Sequence, residues 1–458
     1  MCQSFLYPGL KPNSSRQNII FSPVASAAGD FYFYTMLLLS AIRNDAAGIV
    51  QDLAKRNLDA QPIVDRILEL NASRRSTQVE AESAQAEAKQ IAKQIGQLFQ
   101  SGKANQANAL KEETQALKLR IQDLVRELEA LETQEKEALL SLPNTPDALV
   151  PAGNSEADNI TISTWGKKPV LTANKPHWDL TEIYGLIDFE RGVKIAGAGF
   201  PVYTGRGARL QRALIQWFLD QNAEAGYTEV IPPFFVNEAS AFGTGQLPDK
   251  EGQMYHMPVD NLYAIPTAEI PITNMLRDEI LASKDLPVKY TAHSPCFRRE
   301  AGSYGKDVRG LNRLHQFEKV EIVCVDKPEK SAAHLDEMVS HVGSLLESLG
   351  LHYRILRLCG GDLGFAASIT YDFEVWSAAQ ERWLEVSSVS NFKTYQSSRL
   401  KLRYREDAQS KPALCHTLNG SSLALPRVLA ALLENFQDAT GIDIPDVLHP
   451  YTGFKRIQ

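Results

Sequence analysis

The sequence predicts an α+β protein, with an antiparallel two-helix coiled-coil arm followed by a domain built on an antiparallel β-sheet flanked by helices. Three observations carry this. Two long stretches keep a seven-residue apolar rhythm on either side of a short break, and a proline-rich stretch follows them. Beyond it, β-branched or aromatic runs succeed one another without the strand–helix–strand regularity of a parallel sheet.

The arm comes first. Seam positions at Ile63, Ile67, Leu70, Arg74, Thr77, Ala81, Ala84, Ala88, Ile91, Ile95 and Leu98 step by four and three without a slip. After a break at residues 99–106, which include Gly102, the rhythm returns at Ala107, Leu110, Thr114, Leu117, Ile121, Leu124, Leu128, Leu131, Glu135 and Ala138. Two matching seams joined by a short loop make an antiparallel hairpin. The first helix is about 54 Å long at about 1.5 Å per residue, longer than a small domain is wide, so it projects from the body. Arg74, Thr77 and three alanines thin its middle. Periodicity alone fits a dimerisation or spacer coiled coil. Lys89, Lys93, Lys103, Lys111 and Lys118 are mixed with Glu87, Glu112 and Glu113, the pattern of a solvated charged face.

Residues 142–176 hold Pro143, Pro146, Pro151, Pro169 and Pro176, which no helix sustains; they read as a linker wrapped on the surface, with the second domain at 177–458. In that domain helical patterns at 208–225 and 331–349 alternate with strand-like runs at 228–231, 320–325, 371–376 and 383–386. Residues 1–35 carry only Lys11 and Arg16 before Asp30 and have no period. They are expected to be a disordered extension, or to precede a working start at Met36, with a targeting segment, for which basic residues are few, as the remaining alternative; this leaves 36–141 as the arm.

Composition narrows the function. A chain of 458 residues, 44% hydrophobic and 22% charged, is long enough for two or three folded domains. Its longest apolar-looking run, residues 31–42, falls well short of the ~20 residues that cross a bilayer, so no membrane is expected. Five scattered cysteines with no C-x-x-C pair suggest neither a disulfide framework nor a cysteine zinc site, and a reducing cytoplasm is the natural compartment. The net charge of −7 argues against a uniformly basic coat but leaves a local basic surface for nucleic acid.

The chemistry is densest at residues 296–321. No G-x-x-x-x-G-K-[ST], no G-x-G-x-x-G after a strand and no H-E-x-x-H occurs, so a nucleotide site must be built in another way. Read as strand, loop, strand, this stretch puts Arg298 and Glu300 on one face by period two, with Gly302, Gly305 and Gly310 in the loop between. Standing alone, it also fits a cross-strand salt bridge. Three further segments shift the balance: Gly226 through Pro233, Thr267-Ala268-Glu269, and Glu385-Val386-Ser387-Ser388 followed by Thr417-Leu418-Asn419-Gly420-Ser421 and Arg427.

Together these segments resemble the three signature motifs of class II aminoacyl-tRNA synthetases. More narrowly, T-A-E, F-R-x-E-A-G-S-Y-G, R-G-L-x-R-x-H-Q-F-x-K-V-E and T-L-N-G-S, in that order, are similar to bacterial-type seryl-tRNA synthetases over residues 36–458. The resemblance implies that Arg298 stabilises charge at the α-phosphate, for which a planar, permanently charged fork is suited. It implies that Glu300 holds the nucleotide, Phe317 stacks on adenine and Arg313 and Arg427 grip the outer phosphates. Arg299, Val386 and Ser387 complete the ATP-facing set, and Glu385 and Ser388 take the Mg²⁺ that arrives with ATP. Phe317 in the core is the plain alternative. Thr267, Ala268 and Glu269 are implied around the serine amino group, with Glu321 at its hydroxyl and Ser421 closing the pocket. Such polar groups would be left unpaired by alanine or glycine, a mismatch associated with roughly 10⁴–10⁵ in discrimination.

Lys306 and Arg309 are implied at the tRNA acceptor end. The partners implied are L-serine, ATP, tRNA(Ser) and a second copy of the chain in a homodimer, with tRNA(Sec) among the family's substrates. No redox cofactor and no zinc are expected. Two departures stand out: Ser422 where many class II members have glycine, and Pro426 directly before Arg427. Two rivals stay open, a catalytically silent RNA-binding relative and a class II ligase for another small amino acid.

Overall fold

The computed structural model describes residues 39–171, 173–300 and 309–458. The leader, Met36 and Lys306 lie outside them. Helices α1 (Leu39–Asn44) and α2 (Ala46–Ala54) precede the hairpin, whose helices are α3 (Gln61–Gln100) and α4 (Ala104–Ser141). The helices run closer to the tip than the sequence suggested. Only residues 101–103 break them: Gly102, at φ 73°, takes the left-handed position that ends a helix, while Asn105 is taken up in the first turn of α4.

Most of the expected seam is buried, from Ile67, Leu70, Arg74, Thr77, Ala81, Ala84 and Ile91 on α3 to Ala107, Leu117, Leu124, Leu128 and Glu135 on α4. At the foot Val64, rather than Ile63, is the buried residue, since Leu39, Ile42, Ile49 and Leu53 of α1 and α2 cover that side. Within the seam, Arg74 and Glu135 pair at 3.1 Å (Nε to Oε2), and Asn71 Nδ2 donates to Glu135 Oε1 at 2.8 Å. Both charges are out of water, at 2% and 0% exposure. Removing one partner strands the other, so Arg74→Ala is expected to lower stability by about 3–5 kcal/mol in urea unfolding, while Arg74→Met with Glu135→Leu recovers most of it.

Eight strands make the central sheet: β1 (Ile160–Trp165), β2 (Thr228–Glu229), β3 (Val288–Phe297), β4 (Gln316–Asp326), β5 (Tyr353–Arg357), β6 (Ile369–Ser377), β7 (Arg382–Lys393) and β8 (His416–Ala424). Their spatial order is β1-β5-β6-β7-β8-β4-β3-β2, antiparallel except for the β2–β3 pair. Strand β1 lies inside the stretch read as linker. Its residues, Ile160-Thr161-Ile162-Ser163-Thr164-Trp165, favour a strand, but all six are exposed, and it gains its order by pairing with β5 at the sheet edge. The start of the same stretch is no surface wrap either, because Leu142, Pro143 and Asn144 are buried.

Helices α5 (His177–Ile183), α6 (Gly205–Glu224), α7 (Glu269–Asn274), α8 (Ser331–Ser348), α9 (Tyr395–Leu400) and α10 (Leu425–Asn435) surround the sheet. Leu210, Leu214 and Phe218 of α6, Met338 and Val342 of α8, and Val428 and Leu429 of α10 form the main core with one face of the sheet. The opposite face, covered in part by α7 and α9, carries the site.

Candidate active site

Strand β4 supplies the floor. Side chains alternate along it, so Val320, Ile322 and Cys324 enter the main core while Phe317, Lys319, Glu321, Val323 and Val325 share the other face. Val323 and Val325 are packed beneath α7 and α9. Toward the start of the strand, the same face is left for polar groups. There Lys319 and Glu321, both buried, form an ion pair; Lys319 Nζ donates to Thr267 Oγ1 at 2.8 Å, and Thr267 Oγ1 donates to Glu321 Oε2 at 3.2 Å. Glu321 stands opposite Ser421 in the β4–β8 register. Glu269, at the start of α7, accepts from Gln396 Nε2 of α9 at 2.5 Å. Burial, and next the charge of Glu321, push the Glu269 carboxyl up to about 7, while Gln396, Lys319 and Asn419 oppose the rise. Burial raises Glu321 as well, against the pull of Lys319.

A second wall comes from β7. Ser388 lies opposite Asp372 and Glu385 opposite Glu374, with one extra β7 residue between these pairs. Residues three apart on a regular strand point to opposite faces; this bulge turns Glu385 and Ser388 toward the same side, that of Asp372. Burial and the charge of Glu385 hold the Asp372 carboxyl well above the usual range, and its Oδ1 atom is buried with no hydrogen-bond partner. Two carboxylates and a hydroxyl on one face, with a buried oxygen unsatisfied, fit a hard cation that prefers oxygen ligands.

The basic residues occupy the more exposed side. Strand β3 ends at Phe297, so Arg298 and Glu300 do not share a face by strand alternation as expected. Glu300 instead sits at φ 48°, a left-handed corner that sets both it and Arg298 along the same cavity while Arg299 points into the neighbouring cleft. Arg298 lies 5.2 Å from the centre of the half-buried Phe317 ring. Phe317 also packs against the main core, so the ring has both an apolar and an open side. Arg313 Nη1 is 3.0 Å from Glu300 Oε2, and Arg427 Nη1 donates to Glu385 O at 2.8 Å. Pro426 stands in the first turn of α10, where its missing N–H costs no helical bond. Ser422 is on the far face of β8, buried, donating to Asn222 Oδ1 at 2.8 Å.

Thr267, Glu269, Arg298, Glu300, Arg313, Phe317, Lys319, Glu321, Glu385 to Ser388, Asn419, Ser421 and Arg427 line one cavity of about 720 Å³. Residues from five separated stretches of sequence thus meet in one place. Two segments of the chain match known families: residues 36–146 fit the seryl-tRNA synthetase N-terminal domain, and residues 255–436 fit the tRNA synthetase class II core domain (G, H, P, S and T). A serine–tRNA ligase from Salinibacter ruber is 51% identical over 424 residues, covering 92% of this chain and 99% of the relative. The chain belongs to the seryl-tRNA synthetase family. A serine–tRNA ligase from Geobacter sulfurreducens is 45% identical over 91% of this chain and 99% of its own length. The crystal structure of seryl-tRNA synthetase from Pyrococcus horikoshii complexed with ATP superposes with a TM-score of 0.85 at 36% identity, covering 92% of this chain and 99% of that one. Cytoplasmic serine–tRNA ligase from Naegleria fowleri in complex with AMP gives a TM-score of 0.78 at 28% identity, covering 90% and 95%.

Not every residue expected at this seryl-tRNA synthetase site reaches the cavity. Ala268 is fully buried among Ile272, Leu276 and Val323 beneath the helix it caps. Arg299 and Arg309 line a neighbouring cleft of about 1090 Å³ that shares Glu300 and Arg313 with the cavity. Arg309 lies 4.8 Å from the centre of the Trp178 ring. Conversely, sequence reasoning missed Lys319, Gln396, Asn419 and Asp372. Lys319 was legible, since period two places it between Phe317 and Glu321; Gln396 and Asp372 reach the site only through long-range packing.

Proposed function

We propose that this seryl-tRNA synthetase forms seryl-adenylate from serine and ATP in the 720 Å³ cavity, with pyrophosphate leaving as the α–β phosphoanhydride bond breaks, and then passes the serine to the terminal ribose of tRNA(Ser), releasing AMP. The observation that carries this reading is the division of the cavity into a buried end, where Thr267, Lys319, Glu321, Glu269 and Ser421 converge, and a more exposed end bearing Arg298, Arg313 and Arg427. A buried carboxylate near a hydroxyl suits a small zwitterion with its own hydroxyl, and three guanidiniums suit a triphosphate. Glu269 takes the serine ammonium, Glu321 accepts from the serine hydroxyl and Ser421 closes the pocket. Arg298 meets the α-phosphate as the serine carboxylate attacks, Arg313 and Arg427 hold the outer phosphates, and Phe317 offers its open face to adenine. Arg313 pairs with Glu300 and Arg427 with Glu385, so acidic groups hold both guanidiniums along the cavity. Glu385 and Ser388 would hold Mg²⁺, which when bound offsets phosphate charge.

The neighbouring cleft, with Arg299 and Arg309, is read as the path of the tRNA acceptor end, and the hairpin as the part that meets the body of the tRNA by shape. Homodimerisation through the region after α6 is supported by Ile231 and Phe235, 87% and 50% exposed beside the edge strand β2. Among the described residues no helix is long and apolar enough to cross a membrane, and four cysteines are buried and unpaired, which suits work in the cytoplasm.

The deciding measurement is pyrophosphate exchange into ATP with serine, threonine, alanine, glycine and proline in parallel. Serine alone should support it; exchange with another of the five, or with none, overturns the reading. A pH dependence follows from Glu269. As pH falls through about 7 its carboxylate takes up a proton and loses its attraction for the serine ammonium. The value of kcat/KM for serine should therefore fall toward a limiting slope of about tenfold per unit on the acid side, and Glu269→Gln should flatten that limb at a lower level.

A further inference from the structure

Residues 363–368 have no regular secondary structure, yet Gly364, Phe365, Ala366 and Ala367 form part of the cavity wall. Backbone of this kind must find partners for its carbonyls elsewhere. All six find one, and each accepts from the foot of the arm or the segment after it; Gly364 O accepts in addition from Ala367 N, within the wall, at 3.1 Å. Arg56 Nη1 donates to Leu363 O at 2.7 Å and Gly364 O at 3.2 Å, and its Nη2 to Ala367 O. Asn144 donates through its backbone N to Phe365 O and through Nδ2 to Ala366 O, both at 2.9 Å. Asp147 N donates to Ser368 O at 2.8 Å. The two main holders are tied together, since Arg56 Nε donates to Asn144 O at 2.9 Å.

The fit around this grip is close. Gly360 leaves no room for a side chain, because a Cβ there would lie 1.9 Å from Lys55 O. Asn57, in the same turn, adopts φ 59° and donates from Nδ2 to Gly153 O at 2.9 Å. A guanidinium is the one side chain whose rigid fork can serve several carbonyls from a single stem; lysine offers a point charge. Burial draws the Arg56 guanidinium down to about 10, consistent with a cation solvated by peptide carbonyls in place of water.

We propose that Arg56 and Asn144 are positioning residues for adenylation. The foot of the tRNA-binding arm holds wall 363–368 in place, so the module that meets tRNA is mechanically continuous with the cavity that activates serine. This rests on the ligase reading given above. The test uses the full-length chain carrying Arg56→Ala, Arg56→Lys or Arg56→Gln, with Asn144→Ala alongside. The alanine variants should speed hydrogen exchange in peptides covering 359–370 while β4 stays protected. In pyrophosphate exchange they should raise KM for serine and ATP by about tenfold or more, a change typical of lost supporting contacts, with a smaller effect on kcat. Arg56→Lys and Arg56→Gln should fall between wild type and alanine; they keep the test alive if Arg56→Ala does not fold. Unchanged hydrogen exchange in 359–370, or a loosened wall with wild-type KM values, overturns the proposal. A wild-type chain without serine-dependent exchange activity would instead sink the ligase reading, and hydrogen exchange would still report on the grip.

Discussion

Replacing Arg298 with alanine should lower serine-dependent pyrophosphate exchange by about 10²-fold or more, the usual cost of removing one preorganised donor from a developing charge. The expectation rests on place and chemistry. The side chain lies along the cavity, 5.2 Å from the Phe317 ring, on a backbone fixed by donation from Arg298 N to His315 O at 3.0 Å. A lysine there should recover only part of the loss, because one ammonium cannot engage two oxygens in a plane. The effect should fall mainly on kcat, since charge at the phosphorus grows during attack. An unchanged rate would remove Arg298 from the reaction.

The second large effect concerns the arm. Removing residues 81–123 and closing the gap with a short glycine turn should leave pyrophosphate exchange within about twofold of wild type while tRNA charging at limiting tRNA falls by about 10²–10⁴, the range set by losing one of two linked binding surfaces. The cut is placed beyond the Thr77–Glu127 contact so that Arg74 keeps Glu135 and the grip of Arg56 on the wall is untouched. Retained charging would show that the arm does not bind tRNA. Loss of both activities would show that the distal hairpin, and not only its foot, supports the cavity.

Much of this was legible in the sequence, for identifiable physical reasons. The hairpin follows from a heptad that never slips, and α6 and α8 from their helical patterns. The motif segments announce the nucleotide and amino-acid groups because their chemistry is carried by a few side chains at fixed spacing. Less legible were features decided by distant neighbours. Strand β1 is short, wholly exposed and set among prolines and glycines; its Ile160-Thr161-Ile162-Ser163 alternation is too brief to stand out from the linker, and pairing with β5 at the sheet edge orders it. Arg298 and Glu300 reach one cavity through a left-handed corner at Glu300 rather than by strand alternation. Glu385 and Ser388 share a side because of a bulge that no local spacing reveals. Arg74 and Glu135 were visible as odd seam positions, but only the fold shows that they are each other's partner.

That pair has a consequence for the arm as a ruler. Alanine-rich helices such as the middle of α3 give little resistance to sliding by a turn, because one small side chain fits its neighbour much as the next does. A guanidinium and a carboxylate locked in a dry interface tolerate one alignment, since any shift would leave two ions without water and without each other. The reach from foot to tip is thereby fixed near the foot, so that, on the function proposed above, an RNA meeting the far end is measured against a constant length.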